Sequence, residues 1–161
     1  MRLSEDQFRR FFEQGIPFNA HLGLRIESLA PGKATILLPF RDEHVGDIFR
    51  PAVHGGVLAA LIDATAGAAV FTLATVKDRV STIDLRIDYL RPAPKCDLLA
   101  VAEVRRMGRR TAVVHTVVTP AGGDDREPVA EGTGVFSVWR DVGVPGLPPS
   151  DDNLSNDSEE T

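Results

Sequence analysis

The chain has 161 residues, 43% of them hydrophobic, which suits one domain with a sizeable core and is too little for two. Its formal charge of -5 comes from its end: residues 141–161 hold six of the 23 acids and none of the 18 Lys and Arg, leaving 17 acids against 18 bases before them. A near-neutral body lacks the strong positive charge of a nucleic-acid binder, no apolar run reaches the length of a membrane span, and a lone cysteine, Cys96, excludes an internal disulfide. Two acids within the first six residues, with no apolar run behind them, do not make a secretory leader. A cytoplasmic protein is the expectation, with no membrane and no nucleic acid among its partners.

Ser4 followed by Gln7 reads as a capping box, and Phe8, Phe11 and Phe12 repeat at helical spacing. Gly15 and Pro17 end the segment, so a short amphipathic helix is expected over 5–14, within an N-terminal unit of residues 1–17. Its phenylalanines are core or lid. From Leu22 the period becomes two: Leu22, Leu24 and Ile26 alternate with polar or small residues, and Pro31-Gly32 turns the chain into a second strand over 34–40. A loop of mixed charge with Gly46 and Pro51 fills 41–53.

Then comes HGGVLAALIDATAGAAVFTLATV, more than twenty residues with a single charge, Asp63. Its apolar residues cover every face, which describes a buried helix, and its many alanines and glycines require close packing against it. After Arg79 the period is two to the end of the ordered pattern. In VSTIDLRIDYL, Ile83, Leu85, Ile87 and Tyr89 fall on one face and Thr82, Asp84, Arg86 and Asp88 on the other. LLAVAEVRRM, TAVVHTVVT and VAEGTGVFSVW supply three more strands, with turns at 107–110 and 120–128. The order helix, two strands, long helix, four strands fits an α+β domain over 18–140, one central helix wrapped by a curved antiparallel sheet. Residues 141–161, rich in Pro, Ser and acid, read as a disordered tail.

Two features carry chemistry. His54-Gly55-Gly56 opens the long helix, where unpaired N–H groups and the helix dipole favour a developing negative charge. Two glycines let a carbonyl approach that end, as an oxyanion hole requires, although the same pair also makes a plain tight turn. Asp63 lies nine residues after His54, and a carboxylate in an apolar helix is costly unless it is paired or used. The bland alternative is an Asp that caps a neighbouring element. Nine helical residues turn the chain by ~900° and advance it by ~13 Å. Asp63 therefore cannot serve the oxyanion hole of its own helix. If both act on one carbonyl, the acid comes from a second subunit of a two-fold dimer.

The segments HGGVLAALIDATAGAA, VSTIDLRIDYLRPAP and VAEVRRMGRRTAVV together resemble the hotdog-fold acyl-CoA thioesterases of the phenylacetate-degradation type, over residues 18–139, some three quarters of the chain. The resemblance implies a hotdog fold and hydrolysis of acyl-CoA thioesters by a homodimer or homotetramer. It needs no cofactor, since CoA is part of the substrate. Asp63 falls on the carboxylate that attacks the thioester or activates a water, Gly55 on the N–H that polarises the carbonyl, and His54 on the residue that holds the turn. Thr82 lies where a polar residue assists the carboxylate, and serves equally as an ordinary strand threonine. CoA phosphates would meet Gly108, Arg109 and Arg110 in the basic turn that also holds Arg105 and Arg106, unless that turn is a solvated hairpin. Arg91 would line the entrance and Gly56 the substrate side of the helix start.

The sequence departs from the pattern before His54. Relatives carry an Asn in a loop that here reads HVGDIFRPAV, about two residues longer and without Asn; Asp47 or Arg50 would stand in. That leaves nucleophilic and general-base roles for Asp63 open. Two rival readings remain: a hotdog protein that binds acyl-CoA without cleaving it, and a dehydratase with His54 as its only base. Phe18, Phe49, Phe71 and Tyr89 form either an acyl pocket or ordinary core. His21, His44 and His115 show no metal-ligand spacing.

Overall fold

The computed structural model describes residues 3–122 and 127–140. The expected tail over 141–161 lies outside them. Helix α1 (Glu5–Arg10) begins at the predicted capping box: the Ser4 hydroxyl accepts from Gln7 N, and Gln7 Oε1 accepts from Ser4 N. A π-helical turn over Phe11–Gly15 continues it. A second helix, α2 (Pro17–Leu22), then appears where the alternation of Leu22, Leu24 and Ile26 suggested a strand. Pro17 ends one helix but sits at the first turn of the next, where its missing N–H has no role. Gly23 closes α2 at φ 71, so β1 (Arg25–Ala30) starts three residues later than the periodicity predicts.

After β2 (Lys33–Leu38), a small hairpin of β3 (Val45–Asp47) and β4 (Ala52–Val53) stands where only a loop was expected over 41–53; the long helix α3 (Gly55–Phe71), β5 (Arg79–Tyr89), β6 (Leu98–Met107), β7 (Thr111–Pro120) and β8 (Ala130–Trp139) follow the predicted order. Six strands form one antiparallel sheet in the order β1-β2-β6-β7-β8-β5. Register shifts in β1, β5 and β6 bend it, and α3 packs into the concave face against β2, β5, β6, β7 and β8. This is the hotdog arrangement, α+β with one central helix.

The inward faces of β2, β6, β7 and β8 alternate as strands half-covered by a helix must. Ile36, Leu98, Val114, Val118 and Phe136 point in, and all are buried. The helix contributes Leu58, Leu61, Ile62, Ala66 and Ala69. The sheet does come close to the helix. At Gly132 a Cβ would stand 2.5 Å from Ile62 Cγ2, so β8 lies against the helix only because it carries no side chain there.

Two expectations need correction. The helix is not buried on every side: Ala60, Asp63, Ala64, Gly67 and Phe71, spaced three or four apart, form a half-exposed stripe. And β5 does not alternate cleanly. Its pairing with β8 runs Thr82↔Phe136 then Asp84↔Val135, so Ile83 is an extra residue bulged out of the ladder. Ile83 is 59% exposed, while Thr82 turns toward α3 together with Leu85 and Ile87. β5 is also an edge strand, with no partner on its outer side among the described residues.

The Gly132 contact is testable. Gly132→Ala should cost about 1–3 kcal/mol through overpacking, and Ile62→Ala in the same chain should recover part of that loss. Urea unfolding of the two single variants and the double variant measures the coupling. Additive losses would mean that the helix and β8 are not in this contact.

Candidate active site

His54 is the N-cap of α3, and its side chain organises the first turn. Its Nδ1 accepts from Gly56 N at 2.8 Å, and its carbonyl accepts from Val57 N at 2.9 Å and Leu58 N at 3.3 Å. Its own N–H donates to His44 O at 2.8 Å. Among the described residues, Gly55 N–H is then the donor of that turn left without a partner. Gly56 N–H, by contrast, is taken up by His54 and is not free for a substrate. Tyr89, from the far end of β5, donates its hydroxyl to Gly55 O at 3.0 Å, and its ring would stand 3.2 Å from a Cβ on Gly55. The absent side chain at Gly55 therefore makes room for Tyr89, a reason that the glycine pair alone did not disclose.

Asp63 sits on the half-exposed stripe and accepts a hydrogen bond from Thr82 Oγ1 at 2.8 Å. The bulge at Ile83 is what aims Thr82 at it. The two residues line a groove of about 430 Å³, with Ala60, Ala64 and Gly67 of α3 on one side and Phe8, Phe11 and Phe12 on the other. The N-terminal phenylalanines are thus both core and wall: Phe8 and Phe12 are 7% and 3% exposed, Phe11 43%. Of the proposed acyl-pocket aromatics, Phe18 and Phe71 line this groove, Tyr89 lies on Gly55, and Phe49 is 90% exposed at the tip of the β3–β4 hairpin.

His54 and Gly56 line a different cleft, of about 540 Å³, with His44, His21 and Phe18. The chain thus separates two features along α3, an N–H donor without a partner among the described residues at its start and a hydroxyl-held carboxylate further along it. Asp47 and Arg50 lie in the β3–β4 hairpin that precedes α3. Asp47 accepts from Phe49 N at 2.9 Å and Arg50 N at 3.0 Å, and these bonds, Arg50's first, hold its carboxyl below the usual range. It shapes its own loop and is not brought to Asp63. Among the described residues, no three His, Cys, Asp or Glu gather into a metal site.

The basic residues also divide. The β6–β7 turn is closed by Gly108 N donating to Thr111 O at 2.7 Å, and Arg105 pairs with Glu103 at 3.0 Å. Arg109 and Arg110 are exposed. Thr111 pairs with Ser137, and Ser137 with Ser81, so this turn lies at the Thr82 end of the sheet. Arg91 lies past the Tyr89 end and is ion-paired with Glu127.

A family model described as the thioesterase superfamily matches residues 51–126. A Halobacterium salinarum protein whose name commits only to the broad word esterase is 40% identical over 131 residues, 74% of this chain and 83% of its own. The medium/long-chain acyl-CoA thioesterase YigI of Salmonella typhimurium is 30% identical over 140 residues, 79% of this chain and 88% of its own. Among solved structures, a point mutant of the phenylacetic acid degradation protein PaaI from Thermus thermophilus superposes with a TM-score of 0.65 at 32% identity, covering 77% of this chain and 98% of that one.

His44 joins the segment before β3 to the start of α3, since its carbonyl accepts from His54 N. It is 3% exposed, its ring meets Phe40 edge-on, and its Nδ1 has no partner among the described residues. Burial first, then the Arg41 charge, lower its pKa; Glu43 opposes and His21 adds slightly to the fall. The unfolded chain therefore binds a proton more readily than the fold does. Stability from this group is complete above about pH 6.5 and is lost as pH falls toward the lowered folded value. Between about pH 7.5 and about pH 5.5 the urea midpoint of the wild type should drop more than that of His44→Gln. Equal drops would show that His44 is not the group responsible.

Proposed function

The chain belongs to the thioesterase superfamily, and from that premise we propose that it hydrolyses acyl-CoA thioesters at a site shared between two copies, Asp63 from one and Gly55 from the other. The observation that carries this reading is the division of one helix into two incomplete halves joined by one unpaired strand. Antiparallel pairing of β5 with its own copy about a two-fold axis sets the Tyr89–Gly55 end of one chain beside the Thr82–Asp63 end of the other. The same pairing covers the open edge of β5. A further pairing of dimers into a tetramer is compatible with it.

In the assembled site the thioester carbonyl points at Gly55 N–H and the positive end of α3, which stabilise the oxyanion. Thr82 holds one oxygen of Asp63, leaving the other to take a proton from water as general base. The water oxygen bonds to the carbonyl carbon, the C–S bond breaks, and the CoA sulfur leaves as thiolate and is then protonated. The products are the free acid and CoA, and water is the only co-reactant. The apolar groove beside Asp63 suits an aliphatic acyl chain, which agrees with the substrates in YigI's name. No helix of the described residues is long and apolar enough to cross a membrane, and a free, half-buried Cys96 suits a cytoplasmic setting.

Asp63→Asn should lower kcat by a factor of about 10² or more while CoA binding and melting temperature hold. Shared sites add a stricter forecast. Gly55→Ala, whose new Cβ meets Tyr89, should also be nearly inactive. Co-refolding the two variants should restore roughly a quarter of wild-type turnover, because half the dimers are mixed and each holds one intact site. Recovery of nothing above the separate variants would refute the shared site. An active Asp63→Asn enzyme would refute the carboxylate's role, and acyl-CoA binding without turnover in the wild type would leave only a binding protein.

Arg109 and Arg110 lie exposed at the Asp63 end, where a phosphate-bearing tail could reach them. Reversing both charges should raise KM for acyl-CoA at least about tenfold with kcat little changed, since contacts remote from the carbonyl bind ground and transition states alike. A short thioester lacking the nucleotide should be indifferent to the change. Unaltered steady-state constants for acyl-CoA would return this turn to the status of a solvated hairpin.

A further inference from the structure

Two cavities meet at one pair of rings. The groove that begins at Asp63 follows the small residues of α3, Ala60, Ala64 and Gly67, to Phe71, the last residue of the helix. Beyond Phe71 lies a second cavity of about 190 Å³, walled mainly by Leu3, Leu29, Pro31, Ala74 and Val76. Among the described residues, Phe8 and Phe71 alone line both spaces. Their ring centroids are 5.8 Å apart, with the planes tilted by 39°.

A ring pair in a close-packed core is covered on both sides by other side chains. This pair has open, apolar space on each side. Phe8 is braced: it is buried, stands in a capped helix and stacks on Phe12 at 6.1 Å. Phe71 is only half-buried and leans on Phe8 and, at 6.1 Å, on Phe11. The helix end is fixed independently, because Thr72 donates its hydroxyl to Ala69 O at 2.7 Å and accepts from Gly32 N at 2.7 Å. The Phe71 ring can therefore be removed without undoing the turn that carries it.

We propose that Phe71, braced by Phe8, is the stop that sets acyl-chain length: a medium-length saturated chain fills the groove from Asp63 to Phe71, and the second cavity is closed to longer chains by that ring. The assignment rests on the hydrolase reading above and adds which residue selects among its substrates. Selection by a wall is steep, because each methylene that gains apolar contact adds to transition-state binding.

The test is kcat/KM over a homologous series of saturated acyl-CoAs, from butanoyl to stearoyl, for wild type, Phe71→Ala, Phe71→Leu, Phe71→Trp and Phe11→Ala. Phe71→Ala joins the two cavities and should move the optimum to longer chains, changing the long-to-medium ratio by about tenfold for every two methylenes accommodated. Phe71→Leu should move it less, in the same direction and with the packing better preserved. Phe71→Trp should move the optimum to shorter chains. Phe11 lines the groove and touches Phe71 but does not line the second cavity, so Phe11→Ala should move the optimum less than Phe71→Ala does. An unchanged profile in both Phe71→Ala and Phe71→Leu overturns the stop, and so does an equal shift in Phe11→Ala. Loss of the thioesterase reading looks different: the wild type would then cleave no acyl-CoA at any length. The stop would in that case be judged by calorimetric binding of the same acyl-CoAs, where the same order of variants supports it and a flat order overturns it.

Discussion

Thr82 and Tyr89 stand seven residues apart on one strand, so a regular strand would send them to opposite faces of the sheet. Both instead reach α3: Thr82 touches Asp63 and Tyr89 touches Gly55. The single extra residue at Ile83 resolves the conflict by reversing the parity of the strand between them. Both contacts depend on this reversal. Without it, either the carboxylate would lose its hydroxyl partner or the helix start would lose the ring packed on it. The displaced Ile83 is left exposed on the edge strand, at the surface that a second copy of β5 would cover.

The central helix meets two opposing demands through residue size. On its sheet-facing side it must come close, and Gly132 gives way to Ile62. On the opposite stripe it must leave room, and Ala60, Ala64 and Gly67 do so while Phe71 closes the end. The N-terminal helix completes this arrangement. Its phenylalanines bury enough apolar surface to dock, yet they do not fill the space above the stripe. The segment outside the sheet is therefore a wall of the groove as well as a cover for the core.

The gross architecture was legible because it rests on period and composition: the two-residue repeat of β2, β6, β7 and β8, the apolar helix, the capping box at Ser4. The family motifs pointed to Asp63, Gly55, His54 and Thr82, and the fold does bring Thr82 to Asp63 and His54 to the turn that leaves Gly55 N–H free. What escaped was whatever breaks a period without a compositional mark. Ile83 sits in perfect alternation with Leu85 and Ile87, and nothing in the residues betrays the bulge. Leu22 alternates with Leu24 and Ile26, yet ends a helix, because Pro17 acts as a first-turn residue as well as a terminator. The half-exposure of Asp63 was also hidden, since an all-apolar helix gives no sign of which stripe the single chain leaves bare.

One hydrogen bond weighs against the dehydratase alternative on purely chemical grounds. A neutral imidazole has one nitrogen with a lone pair and one that carries hydrogen. Gly56 N–H donates to Nδ1 of His54, so the lone pair of the ring lies there and the proton lies on Nε2. His54 then has no lone pair facing outward with which to take a proton from a carbon next to a carbonyl. Breaking the bond to free it would unfasten the first turn of α3 and disturb the orientation of Gly55 N–H. A residue whose lone pair fastens the helix start cannot at the same time be the base. In the proposed reaction that work belongs to a carboxylate instead, Asp63, which Thr82 holds through one oxygen.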